Sequence, residues 1–204
     1  MRSVNGTLIL LNVIVFLLQL QSPDLLLVHY ALWPIGAHAV AEVGQVVQFE
    51  PWQLVSSAFL HGGVSHLGLN MFALWMFGHD CERVLGPRRY LALYFAAVLS
   101  ASLSQLTVAS LSGSAYPTVG ASGGVFGVLL TFAMLFPERR VMLLFPPIPM
   151  PAWLFVTVYG VIELFLGLTG AHTGIAHFAH LGGMAGGFVL VLFWRGRFPA
   201  RRRY

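Results

Sequence analysis

The sequence predicts an all-α membrane protein, a bundle of six transmembrane helices with a long outer first loop. Three observations predict it. Hydrophobic residues make up 57% of the 204-residue chain and charged residues only 9%, against roughly a quarter in soluble domains. All 11 basic residues are arginines, gathered at Arg2, at Arg83, Arg88 and Arg89, at Arg139 and Arg140, and from Arg195 to Arg203. Between these groups lie long basic-free intervals. Tyr90 to Glu138 and Val141 to Trp194 are each about twice what one helix needs to cross a bilayer core of about 30 Å, and Ser3 to Glu82 holds two such helices around a long loop.

The elements follow in order. The apolar run Leu8 to Leu18 lies in a first span over 4–20; no small-x-small cleavage pattern follows it, so it reads as a retained helix and not a signal peptide. Residues 21–52 form the long loop, with Trp33, Phe49 and Trp52 and the acids Asp24, Glu42 and Glu50 but no arginine. It is too apolar for a free linker, and amphipathic helices lying in the outer interface are the expected form. The second span covers 64–79. The interval Tyr90 to Glu138 folds into spans 90–111 and 119–136 around the turn-rich Ser112-Gly-Ser-Ala-Tyr-Pro-Thr118. The interval Val141 to Trp194 folds into spans 152–168 and 175–194 around Thr169-Gly-Ala-His-Thr-Gly174, with Pro151 ahead of its first helical turn. The whole chain, 1–204, reads as one membrane domain.

Six spans place every arginine on one side. By the positive-inside rule both termini are cytoplasmic, and the net charge of +4 reports topology. Short membrane-flanking groups of arginine make no extended basic face, so nucleic acid is not expected as a partner. The tail Arg195 to Arg203 suits anionic headgroups, and the lipid bilayer is the expected surrounding. Cys81 is the lone cysteine, which excludes an internal disulfide, and it falls at the cytoplasmic end of the second span.

Polar side chains inside spans are expensive and mark function. Here they gather at the outer starts of three spans. His61, His66 and Asn70 lie at the second, Ser122 opens the fourth, and His177 and His180 open the sixth. Ser122 stands in Gly120-Ala-Ser-Gly-Gly124 at an expected helix N-terminus. The glycines Gly120 and Gly123 admit a substrate backbone, and the free N–H groups favour an oxyanion. The competing reading is packing, because Gly120/Gly124 and Gly123/Gly127 are GxxxG pairs. A serine nucleophile needs a base. His177 and His180, one turn apart on one face, both qualify. No carboxylate neighbours either in sequence, and Glu163 in the fifth span is the only acid within the membrane, so a Ser–His dyad fits better than a triad. His66 and Asn70, four apart, share a face and can both donate, and the Ser122 N–H would complete an oxyanion hole.

His61-x4-His66-x3-Asn70, Gly120-x-Ser122-Gly123 and Ala179-His180-x2-Gly183-x3-Gly187 together resemble the rhomboid family of intramembrane serine proteases, in order over about three quarters of the chain. The resemblance implies a rhomboid-like six-helix bundle with a Ser122–His180 dyad and with His66, Asn70 and Ser122 at the oxyanion hole. It selects His180 over His177 because only His180 carries the glycines at the family's spacing. It implies a structural His61, an aromatic Phe126 packed on the catalytic histidine, and a structural Glu82. It places a flexible cap at about Gly167 to Gly174, in which His172 is solvated. The family often anchors its first loop with a Trp-Arg pair. Here the pair is Trp52-Gln53, which leaves that anchoring open.

The expected activity is hydrolysis of peptide bonds in or near transmembrane segments of membrane proteins. Substrates would be single-span or other transmembrane proteins, with no cofactor and no metal. The sequence sets no oligomeric state. A bacterial plasma membrane is the expected location, with the site toward the outer face. One alternative is an inactive client-binding relative, though such proteins typically lack the serine or the histidine. Another is a metal or haem protein built on His61, His66, His177 and His180, which would leave Asn70 and Gly-x-Ser-Gly unexplained.

Overall fold

The computed structural model describes residues 3–40, 45–113, 115–142, 147–169 and 176–197. Helix α1, Val4–Gln21, is capped by Ser3, whose Oγ accepts from Gly6 N at 3.2 Å. Four helices are long and apolar enough to cross a membrane by length and composition: α1, Pro87–Ser112 (α6), Ala152–Thr169 (α8) and the stretch His177–Arg195 of α9, which runs to Arg197. Between α1 and α6, a helix runs without a break through α4 (Val64–Ala73), a π-helical turn (Leu74–Gly78) and α5 (His79–Leu85). It ends where Gly86 turns at φ 77°, past the 64–79 expected for the second span. Exposed leucines at positions 10, 11, 17 and 18 of α1 and Val161, Phe165 and Leu168 of α8 face outward, as a lipid-contacting surface must.

Helix α7, Ser122–Leu135, is the centre of the bundle. Ten of its 14 residues are buried. At 1.5 Å per residue it is about 21 Å long, less than the bilayer core of about 30 Å. It begins at Ser122, not at Val119, because the chain ahead of it is held extended. Thr118 and Leu32 exchange backbone hydrogen bonds of 2.9 and 3.0 Å, and Gly120 N donates to Ser57 O at 2.9 Å. Gly120 sits at φ 129°, a conformation that side-chain-bearing residues rarely take.

The first loop departs from the expected run of helices. It contains α2 (Pro23–Tyr30), an antiparallel hairpin of β1 (Ala37–Val40) and β2 (Gln45–Gln48), and the short α3 (Gln53–Ser56), which passes into a 3-10 turn at Ser57–Phe59. Alternating small and β-branched residues such as Ala39, Val46 and Val47 suit a hairpin better than an amphipathic helix. Gln53 anchors this loop where the family often has arginine. It is buried, its Oε1 accepts from Trp33 N and Glu50 N at 3.2 Å each, and its amide nitrogen reaches toward His29 O and Gln48 O at 3.5 Å. Trp52 Nε1 adds a 2.9 Å bond to His29 O. A second small hairpin pairs β3 (Arg140–Met142) with β4 (Pro149–Pro151) ahead of α8.

At the arginine end the helices are tied by polar contacts. The Glu82 carboxylate accepts from Ser3 Oγ (2.7 Å), Val4 N (2.8 Å) and Asn5 N (2.9 Å), filling the first turn of α1. Asn5 donates to Leu74 O in the π-helical turn at 2.9 Å and accepts from Tyr90 OH at 2.7 Å. Asp80 pairs with Arg139, and Arg195 donates to Met134 O at 2.7 Å.

Candidate active site

The site lies at the opposite end of α7 from Arg139. Its assembly starts with glycine. A Cβ on Gly183 of α9 would overlap the Gly123 carbonyl of α7, and one on Gly187 would stand 2.9 Å from Gly127 O. The two backbones therefore touch over a full turn, a separation only small residues allow. Ser122 precedes Gly123 and His180 lies one turn before Gly183, so this contact alone sets the two side chains level. His180 Nε2 and Ser122 Oγ are 2.8 Å apart. The Phe126 ring stacks on the His180 ring, with centroids 4.2 Å apart and planes 12° from parallel, which holds the imidazole against swinging away. Both partners sit deep, His180 at 8% exposure.

The N–H groups of the first turn of α7 lie beside the serine; Val125 N is the first to bond back, to Ala121 O at 3.0 Å. His66 covers the approach. Its Nδ1 accepts from Gly62 N at 3.3 Å, which assigns the proton to Nε2. A methyl on Gly120 would stand 2.8 Å from that Nε2 and 3.7 Å from Ser122 Oγ, so the donor edge of His66 hangs over Gly120 beside the serine. A Gly120 side chain would close that space. Asn70 is buried one turn further along α4, and its Nδ2 donates to His66 O at 3.1 Å, so one of its two donors is turned to its own helix.

His61 stands behind His66, ring edge to face with centroids 5.1 Å apart. Gln19 of α1 fixes its backbone by accepting from His61 N (2.9 Å) and donating to His61 O (2.8 Å). Both ring nitrogens are buried without a partner among the described residues. Burial, and secondarily the neighbouring His66, pushes the His61 pKa down to about 4, so the ring stays neutral. A cavity of about 20 Å³, lined by Ser57, Ala101, Ser102, Gln105 and Ser122, opens beside the Ser122 hydroxyl and has room for one water.

Glu163, which the residues alone do not place in the site, stands against both histidines of α9. Its Oε2 lies 2.7 Å from His177 Nδ1 and 3.1 Å from His180 Nδ1. The signal was present: an acid within a span requires a partner. Its partners are the two histidines of α9, too far off in sequence to register as neighbours. The histidines do not converge as a ligand set, because His66 serves Gly62 N while His177 and His180 turn to Glu163. Among the described residues no group of three or more potential ligands could hold a metal ion. Of the expected cap, residues 167–169 continue α8, and 170–174, with His172, lie outside the described residues.

The family model for the Rhomboid domain matches residues 48–197. Among curated proteins, the chain is 40% identical over 102 residues to "Rhomboid protein 1, mitochondrial" of Saccharomyces cerevisiae, covering 49% of this chain and 30% of that protein. It is 34% identical over 152 residues to "Rhomboid protease GluP" of Bacillus subtilis, covering 74% of this chain and 28% of the relative. Identity to "Presenilin-associated rhomboid-like protein A, mitochondrial" of Danio rerio is 30% over 152 residues, 72% of this chain and 39% of the relative. The matches thus span well under half of the length of each relative.

Proposed function

The chain belongs to the rhomboid family, and from that premise we propose that it is an intramembrane serine endopeptidase cutting transmembrane protein substrates in or near their membrane segments. The 2.8 Å contact between Ser122 Oγ and His180 Nε2 carries the reading. It joins a nucleophile to a base at the start of a helix too short to reach across the bilayer. An inactive client-binding protein would have no use for a serine held in this way.

Ser122 Oγ attacks the scissile carbonyl carbon as its proton passes to His180 Nε2. The oxyanion forms against the Ser122 N–H and the Nε2–H of His66; the second donor of Asn70, the one not bound to the His66 carbonyl, completes the set. The C–N bond then breaks, and His180 gives its proton to the leaving amine. Water attacks the acyl-enzyme with His180 again as base, releasing the carboxyl product and restoring Ser122. A helical segment hides its carbonyls in its own hydrogen bonds, so cleavage is favoured where small or helix-breaking residues let the substrate unwind. The confined space beside Ser122, walled by Ala101, Gly123 and Ala179, supports small side chains next to the cut.

The arginine end faces the cytoplasm with both termini, and the serine end faces outward, as the positive-inside rule requires. A bacterial plasma membrane is the proposed setting. The test is cleavage of a tagged single-span substrate by the purified chain in liposomes. Cleavage is expected for the wild type and absent for Ser122→Ala; undiminished cleavage by the variant would overturn the assignment.

A further inference from the structure

The mechanism above uses one nitrogen of His180. The other faces, without an aligned hydrogen bond, an acid that the Ser–His reading leaves idle. Glu163 is 5% exposed, in the middle of α8, and is the only carboxylate among the described residues of the membrane interior. An ionised carboxylate persists there only with donors around it. The donors are the Nδ1 atoms of His177 and His180, one turn apart on α9, and both address the same oxygen, at 2.7 and 3.1 Å.

For Nε2 of His180 to accept the Ser122 proton, the resting proton must sit on Nδ1. That is the atom facing Glu163. The short His177 contact holds the carboxylate in place, and the longer one to His180 lies off the axis of the ring N–H. A modest ring rotation aligns it, and such contacts commonly tighten as substrate binds. The other titratable side chains nearby are His177 itself, Tyr159 one turn earlier on α8, and His66 from α4.

We propose that Glu163 is a positioning residue for His180, shared with and held by His177, so that Ser122, His180 and Glu163 act as one aligned set buried in the membrane. This rests on the proteolytic reading above. The carboxylate fixes the Nδ1–H tautomer and favours the imidazolium that forms when Ser122 attacks. It takes no proton itself.

The test is labelling of the full chain in detergent by a fluorophosphonate. Ser122 Oγ bonds to phosphorus, fluoride leaves, and the serine proton passes through His180. The endpoint counts correctly folded sites, and the rate constant reports how well His180 activates the serine. Glu163→Gln keeps size and hydrogen bonding but removes the charge. It is expected to reach the wild-type endpoint with a rate constant lower by about 10- to 100-fold, less than the loss seen when a fully aligned triad acid is neutralised. Glu163→Asp, still charged, should recover part of that rate. A purely structural Glu163 would instead lower the endpoint and leave the rate constant of the remaining sites unchanged, and that result overturns the proposal. If Glu163→Gln does not fold, Glu163→Leu, which removes the charge without leaving an unpaired polar group, decides instead: a wild-type rate constant for its labelled sites also overturns the proposal. Ser122→Ala run in parallel separates the two readings, since labelling of that variant would remove the proteolytic assignment itself.

Discussion

At the arginine end of the bundle, the half-buried Glu82 and the buried Asn5 and Tyr90 close a network in which each polar group has a partner: Glu82 takes three donors from the start of α1, and Asn5 joins Leu74 O to Tyr90 OH. At the serine end, the polar groups are as deeply set but are left with capacity in hand. Among the described residues, both ring nitrogens of His61 are unpartnered, Asn70 keeps a second donor, and no carbonyl takes the first N–H groups of α7 beside Ser122. A satisfied network stiffens the fold. Unspent hydrogen-bonding groups in a dry site are what a transition state draws on. On the proposed reading, the same helices carry a lock at one end and a reactive centre at the other.

Several substitutions test that division. Ser122→Ala should reduce serine-probe labelling and proteolysis to background while leaving thermal unfolding in detergent almost unmoved, because the Oγ makes no contact that the fold needs. Large destabilisation by this variant would mean that the two ends are not separable. His66→Ala removes the donor over Gly120 and should lower kcat by about 100-fold; steady-state cleavage of a single-span substrate reads it, and the unfolding midpoint should change little.

The reverse signature is expected at the other end. Glu82→Ala strips three hydrogen bonds from the start of α1 and should destabilise the fold by about 2 kcal/mol, measured by unfolding in detergent, with the rate per folded molecule unchanged. A loss of rate at full folding would show that the lock reaches the site. Phe126→Leu gives the smallest expected effect. Losing the stack on His180 is worth about 0.5–1.5 kcal/mol, so kcat should fall only several-fold, with the labelling endpoint retained.

Much of this was legible in the residues, for identifiable reasons. Arginine placement is a one-dimensional signal of a one-dimensional constraint, the bilayer normal, and it yields six spans without any knowledge of packing. The glycines after Ser122 and His180 are equally legible, since close approach of two helices demands them. Gln53 was harder. Its anchoring depends on a loop that folds back so that Trp33 N and Glu50 N meet one amide oxygen. The hairpin at Ala37–Val40 and Gln45–Gln48 is not legible within the first loop, because short amphipathic stretches do not distinguish helix from strand.

Composition, charge and residue order establish that the chain is a multi-span helical bundle, that Ser122, His66 and His180 start their spans on the same side, and that the glycines after His180 bring the sixth helix close to a neighbour. Hydropathy, charge and small-residue spacing act along the chain, so the chain records them. Tertiary structure alone decided where α7 begins, because the Leu32–Thr118 pairing and the Gly120–Ser57 bond come from other elements. It also decided that Asn70 turns one donor back to its own helix. It alone brought Glu163 to the far side of His180, since a carboxylate 14 residues from His177 meets it only after α8 and α9 have packed.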